Sequence, residues 1–492
     1  MAHSNKKYLS LSLIIIWSVL ATCMGVLILA AFWWPIDLRG VESNVLHIIQ
    51  LIHTDRSSLY SNPEKIPFNI TQYTPFYYIL SNEIWHLLPD SVSLIILTRT
   101  ISLVGFILVL SFVYKILKKI ATPINFNILA LASIAIFTFP WYQLARPDAF
   151  ECAFIFGALY LYLFPPLKNQ IGNILLLSLS VAGAIFSKQG STIFIVAFFI
   201  FYLMEKEWKK GLFFLASTFL LLALFFYGID LLGYDISFII QNIIMGIDNG
   251  IDITRAIEIT YSKYISYFFF FTLTLIIFYL LYFNQHSKNS IERKLFYLNL
   301  FVFFISFILA LKAGSAINYF NVSIILQVIL LSAIFAKSSQ NLRKASEYLI
   351  LAAGISVSLQ LLVLYIPRIK YLSNKNQANQ KSIENIVHFL SDHPEHKYFY
   401  TEERNVALSL PNRTAFYSMD IHNLNFERNV YNYEQMISSF KKGEIYYLII
   451  NKANTNKTLF NFKINEFYDI LFEAGDNLIY AFKKENSTNL NK

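Results

Sequence analysis

The sequence predicts an α-helical polytopic membrane protein. It should have about eleven transmembrane helices, further helices lying in the membrane interface, and a small C-terminal extracytoplasmic α/β domain. Three observations lead there. The 492-residue chain is 56% hydrophobic but only 14% charged, and its mean hydropathy is +0.49, too apolar for an ordinary soluble protein of this length. Its apolar residues gather in runs of about 20, the length that crosses a bilayer as a helix. The connections between those runs alternate in charge.

The runs cover residues 9–34, 94–114, 124–141, 149–166, 171–187, 191–204, 211–229, 264–283, 295–311, 317–336 and 346–366. The first has no small-residue cleavage site and is longer than a signal-peptide core, so it reads as a retained helix. The run 191–204 is short enough to be a half-buried segment. Alternate loops are basic: Lys6 and Lys7; Lys115, Lys118 and Lys119; Lys168; Lys206, Lys209 and Lys210; Lys288, Arg293 and Lys294; Lys337, Arg343 and Lys344. The positive-inside rule makes that side cytoplasmic. An N-terminus inside and an odd number of spans place the C-terminus outside. The net charge of +9 is largely this topology signal and does not call for nucleic acid. Cys23 and Cys152 both fall in apolar runs, so neither a disulfide nor a cysteine metal site is expected.

On the opposite side run two long connections, roughly 35–93 and 230–263. VLHIIQLI, FYYILSNEIWHLL and DISFIIQNIIMGI within them have helical spacing with polar interruptions, as interfacial helices do. After Pro367 the composition turns polar, which divides the chain into a transmembrane domain, 1–367, and an extracytoplasmic domain, 368–492. In the latter SNKNQANQK reads as a linker and KSIENIVHFL as a helix. KYFYTEE, EIYYLIIN and NLIYAFKKE read as strands.

The outer ends of the spans carry the candidate chemistry. Asp37 and Glu42 follow the first span. Arg99 opens the second, Arg146 and Asp148 join the third to the fourth, Lys188 follows the fifth, and Lys312 follows the ninth. Ionisable groups at membrane depth are costly and mark functional sites. Arginine and lysine at such a surface suit a phosphate group, and a nearby carboxylate can take the proton of an incoming hydroxyl. A phosphate leaving group needs its charge stabilised rather than a general acid. Together these are the parts for moving a sugar from a lipid phosphate to an acceptor. Plainer readings stand beside this one. Lysines and arginines snorkel, Arg146 and Asp148 can form a mutual ion pair, and Glu42 can cap the helix that starts at VLHIIQLI. His47 and His53 read as residues of an exposed helix face. His388, His393 and His396 have suggestive spacing but no close carboxylate set for a metal. The NIT, NVS, NRT, NKT and NST triplets are too short to carry weight.

At these residues the chain resembles the GT-C superfamily of polyprenyl-phosphate-dependent membrane glycosyltransferases. Within it the likeness is to bacterial relatives of the protein O-mannosyltransferases and of the lipid A aminoarabinose transferase. It rests on Glu42 after the first span, followed by LYSNPEKIPFNITQYTPFYYIL. ARPDAF, FSKQGS and KAGSAINYF come next in order, and then YFYTEERNVALSLPNRTAFYS with EIYYLIIN. The resemblance implies a bacterial plasma (inner) membrane enzyme, a hexosyl- or pentosyltransferase. Its donor would be a polyprenyl-phosphate-linked sugar and its acceptor a lipid, glycan or protein at the outer face, with inversion at the anomeric carbon. It places the acid–base role on Glu42 or Asp37, with Asp148 as a further catalytic candidate. Arg99, Arg146, Lys188 and Lys312 become substrate-binding candidates, joined by Tyr73 and Asn318 from the quoted segments. Where many relatives carry adjacent acids, Val41 precedes Glu42 here. The resembling families differ in metal dependence; no cofactor is expected, and a divalent metal is allowed but not indicated. The alternative is a transporter or flippase for a lipid-linked saccharide. Such a protein should carry charges or broken helices at the midplane and repeat symmetry, whereas these charges gather at one interface.

Overall fold

The computed structural model describes residues 41–89, 91–122, 124–260, 291–337, 366–417, 419–454 and 462–483, with a few single positions besides. The expected spans 9–34, 264–283 and 346–366 lie outside the described residues but for isolated positions, and Asp37 lies outside them too. The main helices are α1 (Ser43–Thr54), α2 (Phe76–His86), α3 (Leu94–Lys119), α4 (Ile124–Tyr142), α5 (Asp148–Leu163), α6 (Gln170–Ser187), α7 (Ile193–Met204), α8 (Trp208–Leu231), α9 (Ile291–Ala310), α10 (Asn321–Lys337) and α11 (Ile366–Ser391). There follow β1 (Tyr398–Thr401), α12 (Arg404–Ser409), α13 (Met419–Glu427), α14 (Glu434–Lys441), β2 (Ile445–Asn451), β3 (Tyr468–Ala474) and β4 (Asn477–Phe482). Each expected span within the described residues is a helix. Among the described residues five segments are long and apolar enough to cross a membrane: Leu94–Lys119, Gln170–Ser187, Trp208–Leu231, Ile291–Ala310 and Ile317–Ile334. The chain is a multi-pass membrane protein.

It divides into two compact units. The first joins residues 1–35, 96–225 and 251–369; the second joins 36–95, 226–250 and 370–492. In the first unit, glycines let helices approach closely, as is common where lipid supplies no hydrophobic drive. A Cβ on Gly105 of α3 would lie 3.0–3.1 Å from Ala149 and Phe150 at the start of α5, and one on Gly183 of α6 would strike the Phe154 ring of α5 at 2.9 Å. Ser180 of α6 donates to the Phe154 carbonyl at 2.8 Å, and Ser178 of α6 meets Ser217 of α8 at 2.9 Å. These contacts fix α5 and α6 side by side. At the far end of α5, Lys294 sits over the Tyr162 ring at 5.2 Å and pairs with Glu205. The basic ends of α5, α7 and α9 therefore meet there. That end lies roughly 20 Å from Asp148 at 1.5 Å per residue.

In the second unit the sheet order is β1-β2-β4-β3, with β1 parallel to β2 and the other pairs antiparallel. Alternation along β2 builds two cores. Tyr447 and Ile449 face Ile386 and Leu390 of α11, while Leu448 and Ile450 join Phe68, Ile70, Phe416 and Phe440 on the other side. The polar C-terminal segment is thus completed by apolar residues of the first long connection. The three expected strands correspond to β1, β2 and β4. The edge strand β3 was not foreseen, because YDILFEA exposes both Ile470 and Leu471 at a register shift and breaks the period of two. SNKNQANQK is no linker but part of α11; Lys, Gln and Ala sustain a helix and no glycine interrupts it.

The long connections also differ from expectation. VLHIIQLI and FYYILSNEIWHLL form α1 and α2, but DISFIIQNIIMGI gives only the short helix Ile239–Ile243 and a turn. Nor is α1 half-exposed at an interface: eight of its twelve residues are buried, among them His47, expected on an exposed face. The reason is a cover of protein. Gln50 donates to the Leu408 carbonyl at 2.9 Å, Asn412 reaches Thr54 at 3.4 Å, and His47 stacks on Tyr417 with ring centres 4.6 Å apart. His47, Gln50 and Thr54 form the polar stripe that meets residues 408–417.

Burial holds the His47 imidazole down to about 4, and His422, whose Nε2 lies 2.7 Å from the Phe68 carbonyl, is likewise held down to about 4. The folded values lie below the ordinary 6.5, so the unfolded chain binds the proton first. Above about pH 6.5 neither histidine should affect stability. As the pH falls from there toward 4, each should remove up to about 3 kcal/mol. Melting temperatures across that window should drop with acid, and His47→Gln should flatten the drop; an unchanged slope would contradict the assignment for His47.

Candidate active site

The loop Leu144–Pro147 turns tightly, with the Arg146 amide donating to the Leu144 carbonyl at 2.7 Å. Pro147 then stands at the N-cap of α5, so Asp148 and Glu151 occupy the first turn, where acidic groups suit the helix dipole. Lys188 caps the C-terminus of α6. Because α5 and α6 lie side by side, the start of one and the end of the other bring four charges together.

Asp148 is the hub. Its Oδ1 accepts from Lys188 Nζ at 3.0 Å and from Asn318 Nδ2 at 2.9 Å. Its Oδ2 faces Arg146 Nε at 3.0 Å, a charge contact that is not aligned as a hydrogen bond. Lys188 Nζ also lies 3.2 Å from Glu151 Oε2, and Ser191 donates to Glu151 Oε1 at 2.8 Å. Two aromatic rings back the cations: Trp141 lies 5.7 Å from the Arg146 guanidinium and Tyr319 lies 5.4 Å from the Lys188 ammonium. Arg146, Asp148, Lys188 and Asn318 are all buried. Two cations answer two carboxylates, so the cluster is neutral as a set.

The other candidates fall around it or apart from it. Arg99 is buried on α3, one turn before Ser102, whose hydroxyl donates to the Arg146 carbonyl at 3.3 Å. Lys312 is half-buried in the loop that leads to Asn318. That loop is fixed by a bridge from Lys312 to Ile251 and by the Asp252 amide on the Leu311 carbonyl at 2.7 Å. Tyr73 and Glu42 belong to the second unit. The Tyr73 carbonyl accepts from Tyr60 at 2.9 Å. Glu42 stands at the N-cap of α1, fully buried, where an acid suits the helix dipole, though its side chain makes no capping hydrogen bond. The mutual ion pair of Arg146 and Asp148 is present, within the larger cluster. Glu151 and Ser191 were not foreseen. Their signal was an acid three residues after Asp148, on the same helix face, and a hydroxyl just past FSKQG.

His388, His393 and His396 act separately. His388 pairs with Asp392 at 2.7 Å, His393 meets the Phe389 carbonyl at 2.8 Å, and His396 stacks on Tyr446 at 3.4 Å. No group of three His, Cys, Asp or Glu suited to a metal occurs among the described residues.

Solved structures share this architecture over nearly its whole length. ArnT from Cupriavidus metallidurans bound to undecaprenyl phosphate matches with a TM-score of 0.57 at 10% identity, covering 95% of this chain and 98% of that one. Its apo state matches with a TM-score of 0.56 at 10% identity and the same coverage. The archaeal oligosaccharyltransferase AglB from Archaeoglobus fulgidus, in complex with an inhibitory peptide and a dolichol-phosphate, matches at 0.54 with 12% identity, covering 96% of this chain and 74% of that one. Both are GT-C superfamily proteins, so the fold is the one the sequence resembles. No protein-family model and no curated protein matches the chain.

Proposed function

We propose that this protein is a glycosyltransferase that moves a sugar from a polyprenyl-phosphate-linked donor to an acceptor lipid, glycan or protein. The observation that carries the reading is the gathering of Arg146, Asp148, Lys188 and Asn318 at one end of apolar helices, opposite the basic end marked by Lys294. The fold shared with proteins solved with undecaprenyl phosphate and dolichol-phosphate supports it. A transporter would place such charges near the midplane instead. In the proposed orientation the Lys294 end and the N-terminus face the cytoplasm of a bacterial inner membrane. The cluster and residues 368–492 then face outward.

The chemistry is one displacement. An acceptor hydroxyl oxygen forms the new bond to the anomeric carbon, and the bond to the polyprenyl phosphate oxygen breaks, its electron pair leaving with the phosphate. Configuration inverts. Glu42, with Asp37 as partner or substitute, takes the hydroxyl proton. Cations answer the growing phosphate charge. Arg146 and Lys188 face Asp148; Lys312 is assigned the phosphate contact, with Arg99 as a further cation. Tyr73 and Asn318 complete the substrate-binding set.

The test is a transfer assay in membranes with a radiolabelled polyprenyl-phosphate sugar. Wild-type protein should transfer the label, and its inability to use any such donor would overturn the proposal. Lys312→Ala should raise the donor KM roughly tenfold to a hundredfold, the weight of a charged hydrogen bond, and leave the acceptor KM unchanged.

A further inference from the structure

The two acidic groups of the cluster invite comparison with a metal site, because enzymes that transfer phosphate-linked groups commonly hold a divalent cation between carboxylates. Here that position is filled. Lys188 Nζ lies 3.0 Å from Asp148 Oδ1 and 3.2 Å from Glu151 Oε2, bridging the two side chains. The other two carboxylate oxygens are engaged as well, Asp148 Oδ2 by Arg146 at 3.0 Å and Glu151 Oε1 by Ser191 at 2.8 Å. Asp148 Oδ1 takes a second donor, Asn318 Nδ2, at 2.9 Å. All four oxygens are thus met by donors or cations supplied by the chain.

The position of the ammonium is fixed by backbone on both sides. The Lys188 amide donates to the Ala184 carbonyl at 2.9 Å, closing α6, and the Lys188 carbonyl accepts from the Ser191 amide at 3.1 Å. The Tyr319 ring stands 5.4 Å from Nζ. A divalent cation draws its oxygens in to about 2.0–2.6 Å, so it would have to displace Nζ. It would also have to sit beside the Arg146 guanidinium with only two carboxylates to offset its charge. The donor set does not fit a metal.

We infer that the Lys188 ammonium is a built-in cation that closes the site between Asp148 and Glu151 to divalent metal. That Lys188 fills the place follows from the cluster alone; that glycosyl transfer uses no metal there rests on the function proposed above.

The experiment reads metal binding and needs no activity. Purified full-length protein in lipid nanodiscs is titrated with Mn²⁺ and followed by electron paramagnetic resonance, alone and with Asp148→Asn. Wild type should show no saturable Mn²⁺ site that Asp148→Asn removes. Lys188→Ala should gain one, with a dissociation constant in the roughly 0.1–1 mM range of sites with few charged ligands, and adding Asp148→Asn should abolish it. Lys188→Met, which keeps the volume of the stem, serves as a second variant should the alanine form fail to fold. A saturable site in wild type that Asp148→Asn removes would overturn the inference, as would a folded Lys188→Met protein with no new site. A lost transfer activity with this binding pattern intact would count against the proposed function alone.

Discussion

Replacing Asp148 by alanine is expected to destabilise the protein by about 3–5 kcal/mol, the usual cost of removing one partner from a buried ion pair. The geometry explains the size. Asp148 lies between Arg146 and Lys188, each 3.0 Å away, and also accepts from Asn318. Without it two buried cations share one carboxylate, and the Asn318 amide loses its acceptor. The loss should appear as a lower melting temperature in lipid nanodiscs. Asp148→Asn should fall between wild type and Asp148→Ala, since the amide oxygen can still accept from Lys188 while the charge is gone. An Asp148→Ala protein that melts with wild type would mean that the four charges do not depend on one another.

Glu42→Gln is expected to lower the transfer rate by about 10²–10⁴-fold, the range for loss of a general base, while the protein stays folded. The second half of that expectation rests on shape: in the buried place of Glu42, glutamine keeps the volume and one carbonyl oxygen. Single-turnover rates with saturating radiolabelled donor, compared at equal folded protein, measure it. Asp37→Asn assayed in parallel separates the two acids. If Glu42→Gln transfers at the wild-type rate while Asp37→Asn does not, the base is Asp37; wild-type transfer by the double variant would remove carboxylate catalysis from the first connection.

The membrane helices were legible because their signal is local. Twenty apolar residues flanked by charge read the same wherever they pack, and α3, α6 and α8 sit close to the limits drawn from hydropathy. The second unit was legible only in pieces. Strands β1 and β2 follow from short aromatic and β-branched runs, but the apolar cover of the sheet includes Phe68 and Ile70, which stand more than three hundred residues earlier. No local pattern announces that. His47 went wrong for the same reason. A histidine in a helix with polar residues at every third or fourth place reads as exposed until Tyr417 is found stacked on it. At the site, Arg146, Asp148 and Lys188 could be named from their places at span ends. Glu151 was missed because a second acid one turn inside a span reads as part of the span. Only the pairing of α5 with α6 gives it a partner.

The way the second unit is assembled constrains how the protein can be made. Its core draws on three stretches of chain, 36–95, 226–250 and 370–492. Bonds such as Gln50 to Leu408 and His422 to Phe68 close loops of 358 and 354 residues. Contacts so distant in sequence form slowly and late. During synthesis α1 and its polar stripe must wait for most of the chain to be translated, and the helices between to be inserted, before residues 404–417 arrive to cover it. A ribosome that stops before Arg404 leaves a nascent chain whose spans can already be in the bilayer but whose α1 has no lid. Such a chain presents its buried face to proteases and chaperones. The cover of α1 is therefore completed only once residues 404–417 dock onto it, more than 350 residues after α1 itself is made.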